Sequence, residues 1–357
     1  MRLRIGIPTR PVVRTAVLIP IVVGVGLLVW WRGPNWGSVG DAFAAVRWEW
    51  VVVAIALNLV SVLVRANAWR IVIKQAMPPP HPRYPLVFSA FSVGLFANAV
   101  LPGRVGELAR IGVLSRKMTG RDGALASLVG TVFAHRLFDL VPSLLLIIYV
   151  LFTAKIPDWA VTSLTVVVGV GVALLVVGIA SARRHNQSVF DEYGPVRRVV
   201  AMVRNGLGVL QSPRGALFAA IFQTTGWLCQ LLAVYTAMRA FHIHAPLPAA
   251  GLVLVLMNVA TLFPLWPGNN IGLLQAAIAL PLIGYGVAKA KGIAFGFGLQ
   301  FIEASVGVGV GTIFLAREGF SFALLRKMPE SGEAAVADEE AGEDEPAEPR
   351  ARARISG

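Results

Sequence analysis

Charged side chains are what this sequence has little of. Asp, Glu, Lys and Arg make up 14% of the 357 residues, while hydrophobic residues make up 56%. Soluble domains carry about 25% charged residues, so an ordinary water-exposed fold is excluded. Cysteine is scarcer still. The single Cys229, within QTTGWLCQLLAVYTAM, can form neither an internal disulfide nor a cysteine-based zinc or redox pattern, and it reads as a small core residue. The signatures of soluble enzymes are missing as well: there is no Gly-rich loop ending in Lys-Ser/Thr, no HExxH, no GxSxG and no paired carboxylate motif. No catalytic residue is therefore assigned, and no cofactor is called for. His242 and His244 form an H-x-H pair without further ligands, which is too little for a metal site.

In place of charge there are long apolar runs, several reaching the ~20 residues that cross a bilayer. The chain is expected to be an all-α polytopic membrane protein. Its first run, Thr15–Trp31, follows Arg2, Arg4, Arg10 and Arg14 and leads into Arg32 without a small-residue cleavage pattern, so it reads as a retained span. The net charge of +13 is unevenly placed: 29 basic against 10 acidic residues over 1–329 (+19), and 3 against 9 over 330–357 (−6). The acidic, Ala- and Pro-rich end has too little apolar surface to fold and is expected to be a disordered tail. Basic loops in such a chain point to the cytoplasm and anionic lipid, and nucleic acid is not an expected partner.

The loop charges constrain the threading. A basic N-terminus over 1–14 should be cytoplasmic. The span near Trp48–Ile71 returns to Arg65, Arg70, Lys74 and Arg83, and the next apolar block, Tyr84–Pro102, has basic residues at both ends. A complete crossing cannot begin and end on one side, so this block is expected to be a re-entrant hairpin that breaks at Pro102-Gly103. Spans near Leu137–Phe152 and Trp159–Ala180 follow. Next comes the strongly basic loop 182–214, then a span near Ala216–Phe241 and a last one near Gly292–Ala316. Between these two, Leu247–Gly286 breaks at LFPLWPGNNIG and reads as a second hairpin entering from the opposite face. The expected architecture has about six full spans and two broken hairpins in an inverted repeat. Its units cover about 48–153 and 215–316, joined by span 159–181 and loop 182–214, within a membrane domain 15–317 followed by a cytoplasmic tail 318–357. The competing reading makes both broken blocks full spans kinked at proline.

A break of this kind is itself a signal. Pro-Gly strips hydrogen-bond partners from several backbone groups, and such backbone survives at membrane depth only inside protein or beside a water-filled cavity. Asn98, Pro102, Gly103 and Gly106 mark the first break; Pro267, Gly268 and Gly272 mark the second, with Asn269, Asn270 and Gln275 as neutral polar groups. The six Pro and Gly positions are expected to act as hinges. Arg104, Glu107 and Arg110 are three apart and share a helix face. The excess cation near a helix N-terminus suits a phosphate, with Glu107 orienting Arg104. Arg110, Arg116 and Lys117 read more simply as cytoplasmic-side positive charge. In HRLFD, Arg136 and Asp139 are again three apart, just inside a span, either paired with each other or joined to the same site. Glu303 is the sole acid deep in the last span, with Gln300 on its face and Gly307 and Gly311 as a packing surface; Arg104 or Arg136 are candidate partners. Asn58, Ser61 and Arg65 share a face of the second span. For the amides and hydroxyls, plain helix-to-helix hydrogen bonding explains the pattern equally well.

NAVLPGRVGELAR, with RANAWR before it, HRLFD after it and PLWPGNNIGLLQAA late in the chain, resembles the lysylphosphatidylglycerol synthase transmembrane-region family. The likeness covers roughly Arg14–Arg317 and implies a flippase-like membrane domain that moves a phospholipid across the bilayer. In full-length relatives a separate soluble domain aminoacylates the lipid; the acidic tail here leaves no room for one, so that activity is not expected of this chain. Where the family often has Glu-Arg-x-x-Asp this sequence has His135-Arg136-x-x-Asp139, and a second family carboxylate is replaced by Gln275. Fewer acids favour an anionic phospholipid or polyprenyl-phosphate lipid over a cationic headgroup. The leading expectation is a lipid translocase of the inner (plasma) membrane with both termini cytoplasmic. The alternatives are a membrane enzyme, or the partner of a lipid-modifying enzyme, acting on polyprenyl-linked sugars, and a non-transporting scaffold.

Overall fold

The structure is a computed structural model, and it describes residues 35–101, 105–118, 124–156, 158–183, 212–261 and 272–317. The expected first span, much of the basic loop and the acidic tail lie outside these residues, as do Pro102, Gly103, Arg104, Pro267, Gly268, Asn269 and Asn270. The described residues form ten helices and no strand: α1 (Trp36–Ala44), α2 (Trp48–Ala76), α3 (Tyr84–Val100), α4 (Gly106–Lys117), α5 (Ala124–Thr153), α6 (Asp158–Arg183), α7 (Pro213–Ala240), α8 (Leu247–Ala260), α9 (Leu273–Ile283) and α10 (Lys289–Arg317). α2, α5, α6, α7 and α10 are long and apolar enough to cross a membrane. The 29 residues of α2 measure about 43 Å at 1.5 Å per residue, more than a bilayer's hydrocarbon core. Outward-facing Val166, Val170, Leu174 and Val177 on α6 are exposed, which in water would be an aggregation hazard and in lipid is the expected surface.

Local chemistry sets several boundaries. Asn35 caps α1 by accepting from Gly37 N–H at 3.0 Å and Ser38 N–H at 3.3 Å, and Ser212 caps α7 ahead of Pro213 by accepting from Gly215 N–H at 3.2 Å. At α9 the Gln275 carbonyl reaches back to Gly272 N–H at 2.6 Å, where φ is +94° and only glycine sits without strain.

Two sets of four helices repeat. Adding 165 to the first residues of α2 and α5 gives the first residues of α7 and α10, and lands within two residues of the starts of α8 and α9. The packing repeats too. α3 touches α4 as α8 touches α9; α4 touches α5 as α9 touches α10; α3 packs on α10 as α8 packs on α5. α2 and α7 make the most extensive contact, and they run antiparallel: Arg47 N–H donates to the Ala240 carbonyl at 3.0 Å, the Ser61 hydroxyl donates to the Gly226 carbonyl at 2.7 Å, and Gly215 faces Gln75. Ser61 and Gly226 are themselves 165 apart. Equivalent helices that cross antiparallel at equivalent residues are related by a two-fold axis perpendicular to them.

The first broken block folds back on itself. Gly106 of α4 lies against Gly94 and Asn98 of α3, and Arg110 lies against Gly94 and Phe91, so α4 runs back along α3. A Cβ at Gly106 would collide with the Gly94 carbonyl and the Asn98 side chain. Gly106→Ala is expected to lower stability by about 1–3 kcal/mol. The check is the melting temperature of the purified protein in detergent, with Gly309→Ala, where a Cβ meets nothing within 4 Å, as the unaffected control.

Gly307 and Gly311 form the packing face expected of them, Gly307 against Leu95 and Ala99, and Gly311 against Ser92 and Phe96, seating α10 on α3. One boundary is corrected. α5 begins at Ala124, so Arg136 and Asp139 sit near the middle of a 30-residue helix and not just inside its end. Their pairing with groups on other helices allows charge at that depth.

Candidate functional site

Asp139 is the centre of the polar interior. It is 8% exposed, and its Oδ1 accepts from Arg65 Nη2 at 3.1 Å, from Trp227 Nε1 at 2.9 Å and from the Gln223 amide. Its Oδ2 accepts from Arg136 Nη1 at 3.1 Å. One carboxylate thus ties α2, α5 and α7 together. Arg136 also donates through Nη2 to Glu107 Oε1, and Glu107 Oε2 forms an ion pair with Arg110, with the charges in contact but without an aligned hydrogen bond. The result is one connected ladder: Arg65, Asp139, Arg136, Glu107, Arg110.

Arg110 is placed differently from its sequence reading as cytoplasmic-side charge. It is 4% exposed, with its guanidinium 4.7 Å from the Trp69 ring centroid and 5.7 Å from that of Phe91. Trp69 is held in turn by its Nε1–H bond to Thr131 at 3.2 Å. An aromatic slot and a carboxylate together make a buried guanidinium tolerable. His135 is buried beside it, edge-on to Phe91, with Nε2 3.3 Å from the Arg65 carbonyl. Glu107 takes Arg110 and Arg136 as partners; Arg104, its expected partner, lies outside the described residues, and α4 starts two residues after it.

Beside the ladder lies a cavity of about 430 Å³ between α2, α3, α7 and α10. Its polar lining comes from Asn58, Arg65, Asn98, Gln230, Gln300 and Glu303. Arg65 therefore belongs to both features, and its buried Nε makes no hydrogen bond. Asn98 accepts from Gly106 N–H at 2.8 Å, which satisfies one of the donors freed at the start of α4. Glu303 is met by Gln230 Nε2 at 3.3 Å and by neither of its expected arginines among the described contacts. Gln275 does not reach the cavity wall; it bonds Gln300 at 2.5 Å.

The repeat exposes an asymmetry of charge. Shifting by 165, Arg65 becomes Gln230, Arg110 becomes Gln275, His135 becomes Gln300 and Asn58 becomes Gln223. Two arginines of one half answer to glutamines in the other, and the Gln275–Gln300 bond stands where Arg110 and His135 both lie against Phe91. Between α5, α7 and α8 is an apolar groove of about 340 Å³ whose wall includes Trp227, Leu228 and Tyr149.

Gln223, Trp227 and Gln230 were not singled out from the sequence. Their signal was there: polar side chains at i, i+4 and i+7 along one face of an otherwise apolar run.

Five membrane-length helices, two shorter broken blocks and an ion ladder running between them define a multi-pass helical membrane protein. The chain matches the family described as lysylphosphatidylglycerol synthase TM region over residues 17–311, and it belongs to that family. Comparison with curated proteins and with solved structures found no match.

Proposed function

We propose that this protein is a lipid translocase that takes the phosphate of an anionic phospholipid or polyprenyl-phosphate lipid into the cavity beside Arg65. The carrying observation is the cavity itself: about 430 Å³ of polar-lined space at the junction of the two repeated helix sets, with Arg65 on its wall. A guanidinium with one nitrogen anchored by Asp139 is held in place to meet a phosphate oxygen, and arginine suits that geometry better than lysine. Arg136 and Asp139 support that guanidinium, while Asn98, Gln230, Gln300 and Glu303 shape the polar wall. Arg104, Asn269 and Asn270 are proposed to complete the path from the two breaks.

The repeat supports the mode of movement. An axis perpendicular to α2 and α7 lies in the plane of a membrane those helices cross, which is the inverted arrangement of transporters whose sites sit between broken helices. In this reading α3–α4 and α8–α9 are re-entrant pairs opening to opposite faces, with the Pro-Gly segments as hinges. In this reading both termini lie on the cytoplasmic side of the plasma membrane, which the basic loops favour. A lipid-modifying enzyme is the partner class that would supply or consume the moved lipid.

The test uses the full chain in proteoliposomes with a headgroup-labelled anionic phospholipid and a membrane-impermeant quencher. Wild type is expected to expose the inner-leaflet label faster than protein-free vesicles. Arg65→Gln should slow this by about 10–100-fold, as the loss of a charged hydrogen bond predicts, and Gln230→Leu should serve as a variant outside the ladder that narrows the cavity's polarity. Equal rates for wild type and protein-free vesicles, with both phospholipid and polyprenyl-phosphate probes, would sink the reading.

A further inference from the structure

The charges around the cavity do not balance as a ladder alone. Arg65, Arg110 and Arg136 face Glu107 and Asp139, leaving one positive charge in excess. Glu303, on the wall of the same cavity as Arg65, brings the described set to zero when ionised. It stands apart from the ladder, so a change in its charge breaks no ion pair there. Among the described residues of the helices packed on α10, few other ionisable groups exist. α9 has none, α3 has only Tyr84, bonded to the Leu63 carbonyl, and α1 has only the exposed Asp41. α7 offers Arg214, Cys229, Tyr235 and Arg239, the last bonded to Tyr235, and the remaining charges of α2 are Glu49, Arg70 and Lys74; none of these lines the cavity. Among the described residues the cavity wall thus holds one cation and one carboxylate.

A phosphodiester entering this space adds one negative charge. Net charge in a low-dielectric interior is costly, and the cost is relieved by pairing or by neutralising a group. Arg65 can meet the phosphate, but its charge and those of its ladder are already offset by Asp139, Glu107 and Glu303. The remaining way to restore zero is for Glu303 to take a proton from water, forming a neutral carboxylic acid as the phosphate binds. The surroundings suit both forms. Gln230 donates its amide N–H to the carboxylate, and turned over it would accept from the acid, since an amide has both a donor and an acceptor end. Asn58 and Gln300, also on the wall, have the same dual capacity.

We infer that Glu303 is a proton-binding site, and that one proton accompanies each lipid phosphate through the cavity, making the movement electroneutral and responsive to a proton gradient. The inference rests on the translocase reading above and adds the coupling ion to it.

The test uses the full chain in detergent with dihexanoyl-phosphatidylglycerol as probe. Lipid binding is followed by intrinsic tryptophan fluorescence, proton uptake by a pH-indicator dye in weakly buffered solution, and the carboxyl group by infrared difference spectroscopy. Wild type is expected to take up about one proton per bound lipid, as charge balance in a low-dielectric site requires, with a protonated-carboxyl band appearing. Glu303→Gln should bind the lipid and show neither uptake nor band. In proteoliposomes an imposed pH gradient should change the wild-type rate and leave the variant's unchanged. Binding without uptake in wild type, uptake that persists in Glu303→Gln, or dependence on sodium in place of protons would each overturn the proton site while leaving the translocase reading intact. No lipid binding at all would overturn both.

Discussion

Asp139→Ala is expected to destabilise the folded protein by about 3–5 kcal/mol, because it removes one partner of a buried ion cluster and strands the other. Four donors from three helices converge on this carboxylate, from Arg65, Arg136, Gln223 and Trp227. Without it Arg65 keeps its charge but loses its carboxylate partner, and the α2–α7 crossing loses a tie on each side. The measurement is reversible unfolding in mixed micelles by increasing denaturing detergent. A cycle with Arg65→Met should show strong coupling: removing both groups together is expected to cost clearly less than the sum of the single losses. Additive losses would show that the pair does not act as a unit.

Arg110→Ala is the second large effect expected, at about 2–4 kcal/mol of stability. The ion pair to Glu107 and the stacking on Trp69 and Phe91 are lost together, and a void is left in a packed region. Arg110→Lys keeps the charge but has no planar face for Trp69, and should recover less than half of the loss. Tryptophan fluorescence, read during the same detergent titration, checks both variants. A surface charge would cost under about 0.5 kcal/mol, so a loss that small would contradict the buried position of Arg110.

These two residues divide what could be read in advance from what could not. The Arg136–Asp139 pairing was legible as one of two readings, since residues three apart on a helix face one another wherever the helix goes. So was the packing use of Gly307 and Gly311. The burial of Arg110 was not, because its neighbours in sequence, Arg116 and Lys117, mark a membrane edge, and only the folding back of α4 along α3 brings it to Trp69. The position of Arg136 along its helix was misjudged for a related reason. The residues before it follow a basic stretch, and the partners of Asp139 on other helices, Arg65 and Gln223, are 74 and 84 residues away in sequence.

The repeat followed the same division. Two broken blocks with opposite charge flanks could be seen as strings, but the 165-residue correspondence could not be seen in residue identity, since Arg65 answers to Gln230 and His135 to Gln300. By itself the sequence determined a multi-pass helical membrane protein, most of its spans, the places where its helices break and the excess of positive charge near the first break. Hydrophobic length and local backbone chemistry act over one or a few turns and need no partner. The tertiary structure alone decided which charges meet, that Arg65 stands between an ion ladder and a polar cavity, and that Glu303 faces that cavity apart from the ladder. Those outcomes depend on the crossing of α2 and α7, a geometry that no single segment contains.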